Sequence, residues 1–112
     1  MGTERRQFRR SDQPFEVQYR SFGALSDPWR IGRSADISAT GLRLQTDVPV
    51  EAGEMLELTL ALPAAQAPLH VRGSVLWSKP LPSGVLECGI EFRDVTQEQQ
   101  ADIDALVRFL ER

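Results

Sequence analysis

The chain has 112 residues, of which 41% are hydrophobic and 26% charged, and its formal net charge is -3. This length and composition predict one globular domain with a single core, and the acidic balance argues against a general nucleic-acid binder. No apolar run approaches the about 20 residues of a membrane-spanning helix, and no apolar segment follows the polar start, so we expect a cytoplasmic protein without membrane insertion. The single cysteine, Cys88, excludes an internal disulfide.

The beginning of the chain is rich in arginine. Arg5, Arg6, Arg9 and Arg10 fall within six positions. Guanidinium groups match phosphate oxygens and stack on aromatic rings, so such a cluster is suited to an anionic ligand. The cluster has no apolar periodicity. We therefore predict a flexible arginine-rich arm over residues 1-13, followed by a compact domain over residues 14-112.

Alternating apolar and polar residues predict six β-strands after this arm. The strands cover Phe15 to Tyr19, Trp29 to Asp36, Leu42 to Val48, Leu56 to Leu62, Leu69 to Trp77 and Leu86 to Phe92. Gly73 suggests a bulge or a bend in the fifth strand. In the sixth strand, Cys88 falls on the buried face as a small hydrophobe, while Glu87 and Glu91 fall on the solvent side.

The periodicity changes near the C terminus. Thr96 and Gln99 have the spacing of a capping box, and the apolar residues from Ile103 to Leu110 recur at helical spacing. These features predict one amphipathic helix over about residues 96-111. Six short strands followed by one helix predict a fold dominated by β-structure, a six-stranded antiparallel β-barrel whose edge or mouth the C-terminal helix covers.

A polar turn is predicted between the second and third strands. Asp36, Ser38 and Gly41 favour a turn, because the carboxylate and hydroxyl bond nearby backbone and glycine permits positive φ. Fixed to a packed sheet, this turn would present polar groups to a ligand. Taken alone, such a motif is most often a turn that bonds its own backbone, and arginines at a chain start are usually a solvated tail.

Together, the two polar stretches resemble the signature of the PilZ family, the bacterial domain that binds the second messenger cyclic di-GMP. Residues 6-10 read Arg-Gln-Phe-Arg-Arg and residues 36-41 read Asp-Ile-Ser-Ala-Thr-Gly. They match the family's Arg-x-x-x-Arg and Asp-x-Ser-x-x-Gly motifs in order and separation. The family fold, a six-stranded antiparallel barrel with a C-terminal helix, agrees with the strand pattern over nearly the whole chain.

The resemblance implies two groups of residues that bind cyclic di-GMP. Its phosphates and guanine bases would be bound by Arg5, Arg6 and Arg10. Guanine edges or the sugar-phosphate ring would be contacted at the turn by Asp36, Ser38 and Gly41. Trp77, on a neighbouring strand, is an additional candidate, although a strand tryptophan is more often part of the core. No metal or other cofactor is expected.

The resemblance implies a cyclic di-GMP receptor or adaptor that signals to an unidentified downstream protein by changing its binding surface. The alternative is a PilZ-type module that binds no ligand and regulates pilus, flagellar or polysaccharide machinery. We do not expect an enzyme, because the single histidine, His70, lies on the solvent face of a strand and the sequence shows no nucleophile-base pair or metal cluster. The number of bound messenger molecules and the formation of a homodimer stay open.

Overall fold

A computed structural model describes residues 10–11, 14–62 and 67–111. The elements in chain order are β1 (Arg10–Ser11), β2 (Phe15–Ser21), β3 (Arg30–Ser38), β4 (Gly41–Thr46), β5 (Met55–Leu60), β6 (Leu69–Pro80), β7 (Leu86–Arg93) and α1 (Gln97–Leu110). Within the described part of the chain, no helix has the length and apolar character needed to cross a membrane.

Six of these strands close into an antiparallel barrel. Their order is β3-β2-β5-β6-β7-β4, and β4 pairs again with β3. The remaining strand, β1, adds to β3 beyond the end of β2, with Arg10 opposite Ser38 and Ser11 opposite Ile37. The predicted six-stranded barrel with one C-terminal helix is confirmed. The sequence did not predict β1, which lies at the end of the segment expected to be a flexible arm.

The core fills the interior of the barrel because alternate residues of each strand point inward. In β5, Leu56, Leu58 and Leu60 are buried, and in β7 the sulfur-bearing side chain of Cys88 is buried beside Ile90. The predicted burial of Cys88 is therefore confirmed. The buried cluster also contains Val17, Tyr19, Ile37, Leu42, Leu44, Val50, Leu69, Val71, Val75 and Phe92.

Strand β6 differs from the expectation. The irregularity in its pairing with β7 lies between Val75 and Trp77, not at Gly73. Gly73 instead makes room for the core, because a Cβ there would overlap Cγ2 of Ile90. As a result of the irregularity, Leu76 and Trp77 are both exposed on the outer face, at 55% and 37%.

Helix α1 starts at a capping box, as predicted. The Thr96 hydroxyl accepts a 3.0 Å hydrogen bond from the backbone N–H of Gln99, and the Gln99 side-chain oxygen accepts one of 3.1 Å from the backbone N–H of Thr96. The apolar stripe of the helix, Ile103, Leu106 and Val107, is buried in the core cluster. The helix therefore packs against the barrel, near β1, β3 and β6.

Candidate functional site

Three of the predicted site residues lie together where β3 turns into β4. Strand β3 runs through Asp36 to Ser38, residues 39 and 40 connect the strands, and β4 begins at Gly41. The turn is therefore shorter than the sequence suggests, and Asp36 and Ser38 belong to the end of a strand. Their backbone is consequently fixed by the ladder.

These residues line a groove of about 260 Å³ between the β3–β4 hairpin and strands β6 and β7, which we call the corner groove. Its walls include Asp36, Ser38, Thr40, Gly41, Arg43, Trp77, Gly89 and Glu91. The structure thus brings Trp77 together with Asp36, Ser38 and Gly41. The indole of Trp77 lies directly on Gly89, where a Cβ would overlap its Nε1 atom.

The Asp36 carboxylate is buried and paired with an arginine on the neighbouring strand. Asp36 is 4% exposed, and its Oδ2 atom lies 3.1 Å from a terminal nitrogen of Arg43. The other terminal nitrogen of Arg43 lies 4.0 Å from Oε1 of Glu87 on β7. One guanidinium group therefore lies between two carboxylates, which holds the Asp36 carboxylate in a defined position.

The burial of Glu87 contradicts an expectation from the sequence. Alternation places it on the solvent side of β7, but it is 5% exposed. Gln45 and Lys79 flank it in the adjacent strands, and the Arg43 guanidinium supplies an opposite charge nearby. A carboxylate can be buried where it has such a cationic neighbour.

The Ser38 hydroxyl makes long contacts within its own turn. It accepts a 3.4 Å hydrogen bond from the backbone N–H of Thr40, lies 3.4 Å from the Thr40 hydroxyl, and donates at 3.5 Å to the backbone oxygen of Gly41. These distances exceed the usual range for hydroxyl hydrogen bonds. A ligand that offers a shorter hydrogen bond can therefore compete for this hydroxyl.

Helix α1 supports the same turn from behind. The side-chain nitrogen of Gln100 donates a 2.9 Å hydrogen bond to the backbone oxygen of Ala39. Ala39 itself is buried. The connection between Ser38 and Gly41 is therefore fixed at its centre by the first turn of the helix.

Of the three arginine candidates, the structure describes only Arg10, and only its backbone. The backbone of Arg10 forms β1 and lies opposite Ser38 in the ladder with β3. Arg5 and Arg6 lie outside the described residues. The end of the arginine motif is thus adjacent to the hairpin that carries Asp36 and Ser38.

Sequence reasoning missed several residues of this site. Alternation along β4 places Arg43 on the solvent side of its strand. Asp36 and Arg43 lie equally far from the short turn on opposite strands, which is a local signal for their pairing. Glu91 and Gln100 reach the site only through tertiary pairing and packing. No local pattern in the sequence identifies them.

The single histidine and the single cysteine of the chain do not line the corner groove. His70 is exposed, as expected, and its Nδ1 atom lies 3.0 Å from the Thr59 hydroxyl. Burial, with a smaller contribution from the nearby Glu87 charge, raises the pKa of the Cys88 thiol to about 11. Among the described residues, no group of three or more histidines, cysteines and acids could hold a metal ion.

Comparison with known families decides the relationship of the chain. The model of the PilZ domain family matches residues 4–110, which include both polar motifs. The chain belongs to the PilZ domain family. A comparison with curated proteins found no match.

Solved structures of PilZ proteins share its fold. The PilZ domain of YcgR from Escherichia coli, solved with c-di-GMP, is 15% identical with a TM-score of 0.74, and the match covers 97% of this chain and 93% of that one. The inhibitor of motility MotI/DgrA from Bacillus subtilis is 24% identical with a TM-score of 0.70. That match covers 95% of this chain but only 51% of the B. subtilis protein. The PilZ domain of CeSA from a cellulose-synthesizing bacterium is 15% identical with a TM-score of 0.67, and the match covers 92% and 98% of the two chains.

Proposed function

We propose that this PilZ domain is a receptor for cyclic di-GMP and binds it between the arginine-rich N-terminal segment and the corner groove. The observation that carries the proposal is the pairing of the Arg10 backbone with Ser38. It joins two motifs that are far apart in the sequence, and it does so beside a groove lined by Asp36, Ser38 and Gly41. The proposed ligand contacts are Arg5, Arg6, Arg10, Asp36, Ser38 and Gly41.

The charges around the groove fit a division of roles between the two segments. The described walls contain the carboxylates of Asp36 and Glu91, with Arg43 as the cation between Asp36 and Glu87. Guanine edges present N–H donors, which carboxylates accept, whereas phosphates require cations. The groove is therefore suited to the bases of the messenger, and the arginines of the N-terminal segment to its phosphates.

Trp77 is proposed as an additional contact. It is partly exposed on the wall that faces the hairpin, and its ring lies against Gly89 rather than inside the core. An indole in this position offers an apolar edge or face to a guanine base.

The proposed output is a change in the surface that a downstream protein contacts. Helix α1 packs near β1 and holds Ala39 through Gln100, so it contacts both proposed halves of the ligand site. Ordering of the N-terminal segment by the messenger would change the surface around this helix. Amide hydrogen exchange over residues 4-12 should slow when cyclic di-GMP is added, and unchanged exchange would contradict this step.

Titration calorimetry with cyclic di-GMP tests binding and gives the stoichiometry. We expect Arg10→Ala to weaken the affinity for cyclic di-GMP by about ten- to hundredfold, since a hydrogen bond to a charged group contributes roughly 1.5–3 kcal/mol. Arg6→Ala and Asp36→Asn should also weaken this affinity, and asparagine preserves the shape of the aspartate side chain. Arg108→Ala removes an exposed arginine from the last turn of α1 and serves as the matched control.

Two results would oppose the proposal. Absence of heat with the wild-type chain would favour a PilZ module that acts without this ligand, and equal effects of Arg10→Ala and Arg108→Ala would remove the arginine motif from the site.

Incubation of the messenger with the protein followed by chromatography separates a receptor from an enzyme. We expect the messenger to be recovered intact.

A further inference from the structure

A second and larger groove lies on the outer face of β2, β5 and β6, and we call it the outer groove. It has a volume of about 600 Å³ and runs from the β2–β3 loop to the first turn of α1. Among the described residues, its lining has no member in common with that of the corner groove. Its walls include Arg20, Phe22, Trp29, Arg72, Arg93 and Thr96.

One arginine of this groove, Arg20, is held in place by contacts within the fold. The Arg20 guanidinium donates two 3.3 Å hydrogen bonds to Oε1 of Glu57 and stacks 4.3 Å from the ring centre of Trp29. Its side chain is 16% exposed. Arg20 therefore fixes the β2–β3 loop on the barrel and has little freedom to bind a partner.

The other two arginines are exposed and face each other. Arg72 on β6 is the direct cross-strand partner of Arg93 on β7, and their side chains are 52% and 51% exposed. Like charges directly opposite each other in a ladder are destabilising. Neither side chain is buried in the core, so packing of the barrel interior does not depend on these two cations.

The acidic partners of these two arginines are also exposed. Arg72 lies 3.4 Å from Asp94, whose side chain is 75% exposed, and Arg93 lies 3.0 Å from Glu91, whose side chain is 46% exposed. Ion pairs in such settings contribute little to stability because water screens them. Both guanidinium groups can therefore exchange their partners for the carboxylates of another molecule at small cost.

Apolar surface lies beside this cationic pair. Phe22 is 48% exposed under the Arg72 guanidinium, which lies 4.7 Å from its ring centre, and Leu25 in the same loop is 75% exposed. Guanidinium groups already cover one face of both Phe22 and Trp29, which disfavours the stacking of a nucleotide base. Arginine and aromatic residues together are typical of the central residues of protein interfaces.

We propose that the outer groove docks an acidic segment of a partner protein. Its carboxylates pair with Arg72 and Arg93, and an apolar side chain packs on Phe22. The chain has a net charge of -3, so its surface as a whole repels such a segment. The lining of the outer groove contains three arginines against the two carboxylates of Glu57 and Asp94, and this excess of one positive charge provides local complementarity. The proposal does not require messenger binding.

The test uses a fluorescently labelled synthetic peptide of glutamates around a single leucine, together with its glutamine counterpart. Anisotropy should show that the glutamate peptide binds, that binding weakens as salt is added, and that the glutamine peptide does not compete. The double variant Arg72→Gln/Arg93→Gln should weaken binding by about tenfold, the combined effect of two exposed ion pairs. The double variant Arg33→Gln/Arg108→Gln changes the net charge equally at exposed positions outside the groove and should bind as wild type.

Thermal melts of both double variants establish that they fold, which we expect because all four side chains are exposed. Equal binding by the two double variants would overturn the proposal. The proposal would also be overturned if the wild-type chain did not bind the peptide but bound GMP or phosphatidylglycerol vesicles through Arg72 and Arg93. A dimer that depends on these arginines and forms in place of peptide binding would assign the groove to a second copy of the chain.

Discussion

Two glycines beside the corner groove, Gly41 and Gly89, should respond very differently to substitution by alanine. A Cβ at Gly41 would overlap the backbone oxygen of Ile90 and lie 3.1 Å from its carbonyl carbon and 3.2 Å from Cα of Glu91. A Cβ at Gly89 would instead overlap the indole of Trp77, with 2.5 Å to Cε2 and 2.9 Å to Cζ2. We expect Gly41→Ala to disturb the β4–β7 ladder and Gly89→Ala to displace one side chain.

We expect the two substitutions to change the free energy of unfolding by different amounts. The paired backbones of β4 and β7 cannot shift locally, whereas an exposed side chain can move. Beside Gly41, the backbone N–H of Phe92 donates a 2.9 Å hydrogen bond to Thr40, so separating the strands would break backbone hydrogen bonds. Overpacking and the lost bonds together should lower the free energy of unfolding by about 3 kcal/mol and the Tm by about 15 °C. Rotating Trp77 to a less favoured rotamer costs about 1 kcal/mol, which alanine offsets by reducing the entropy of the unfolded chain.

Urea unfolding followed by tryptophan fluorescence distinguishes the two variants. The chain has two tryptophans, so a Trp29→Phe background leaves Trp77 as the reporter. We expect Gly89→Ala to shift native-state emission to the red with a nearly unchanged midpoint, and Gly41→Ala to unfold at lower urea. Equal destabilisation by both substitutions, or unchanged emission in Gly89→Ala, would refute this account of the corner groove.

Three further predictions concern the barrel and the helix. Burial raises the pKa of Cys88 to about 11, so a thiol reagent at mildly alkaline pH should react with it only after unfolding; rapid reaction of the native protein would contradict this. The backbone N–H of Gly23 and, more weakly, Arg20 lower the pKa of Glu57 against the opposing effect of burial. The stabilising contribution of this carboxylate should therefore be present above its unfolded pKa and lost as pH falls through its folded pKa. The stability difference between wild type and Glu57→Gln should therefore vanish in acid, as urea titrations across that range would show. Thr96→Ala removes the cap of α1 and should cost about 1 kcal/mol, measured by the same titrations.

Local sequence patterns were sufficient to predict the six strands of the barrel and the helix. The strict alternation of Leu56, Leu58 and Leu60 predicts a strand because alternate residues share one face, and all three leucines face the barrel interior. Thr96 and Gln99 mark the start of the helix because a capping box is closed within four consecutive residues. Each of these signals depends only on residues that are neighbours in the chain.

The features that the sequence did not predict depend on contacts between distant segments. Two residues are too few to show periodicity, so β1 is visible only through the pairing of Arg10 and Ser38. Glu87 alternates as a solvent-side residue, and its burial follows from the neighbouring strands that flank it. The pairing of Arg72 with Arg93 likewise follows from the register of β6 and β7.

Glu91 connects the two grooves and makes their coupling testable. It lies opposite Gly41, lines the corner groove, and accepts the hydrogen bond from Arg93 of the outer groove. A messenger whose guanine N–H groups donate to the Glu91 carboxylate would change how strongly Glu91 holds Arg93, and the coupling between the two binding free energies must be reciprocal. The Glu91→Gln variant should therefore bind the acidic peptide more tightly than wild type, because Arg93 loses a competing carboxylate. Its peptide affinity should also respond less to saturating cyclic di-GMP, and an unchanged response in anisotropy titrations would exclude Glu91 as the link.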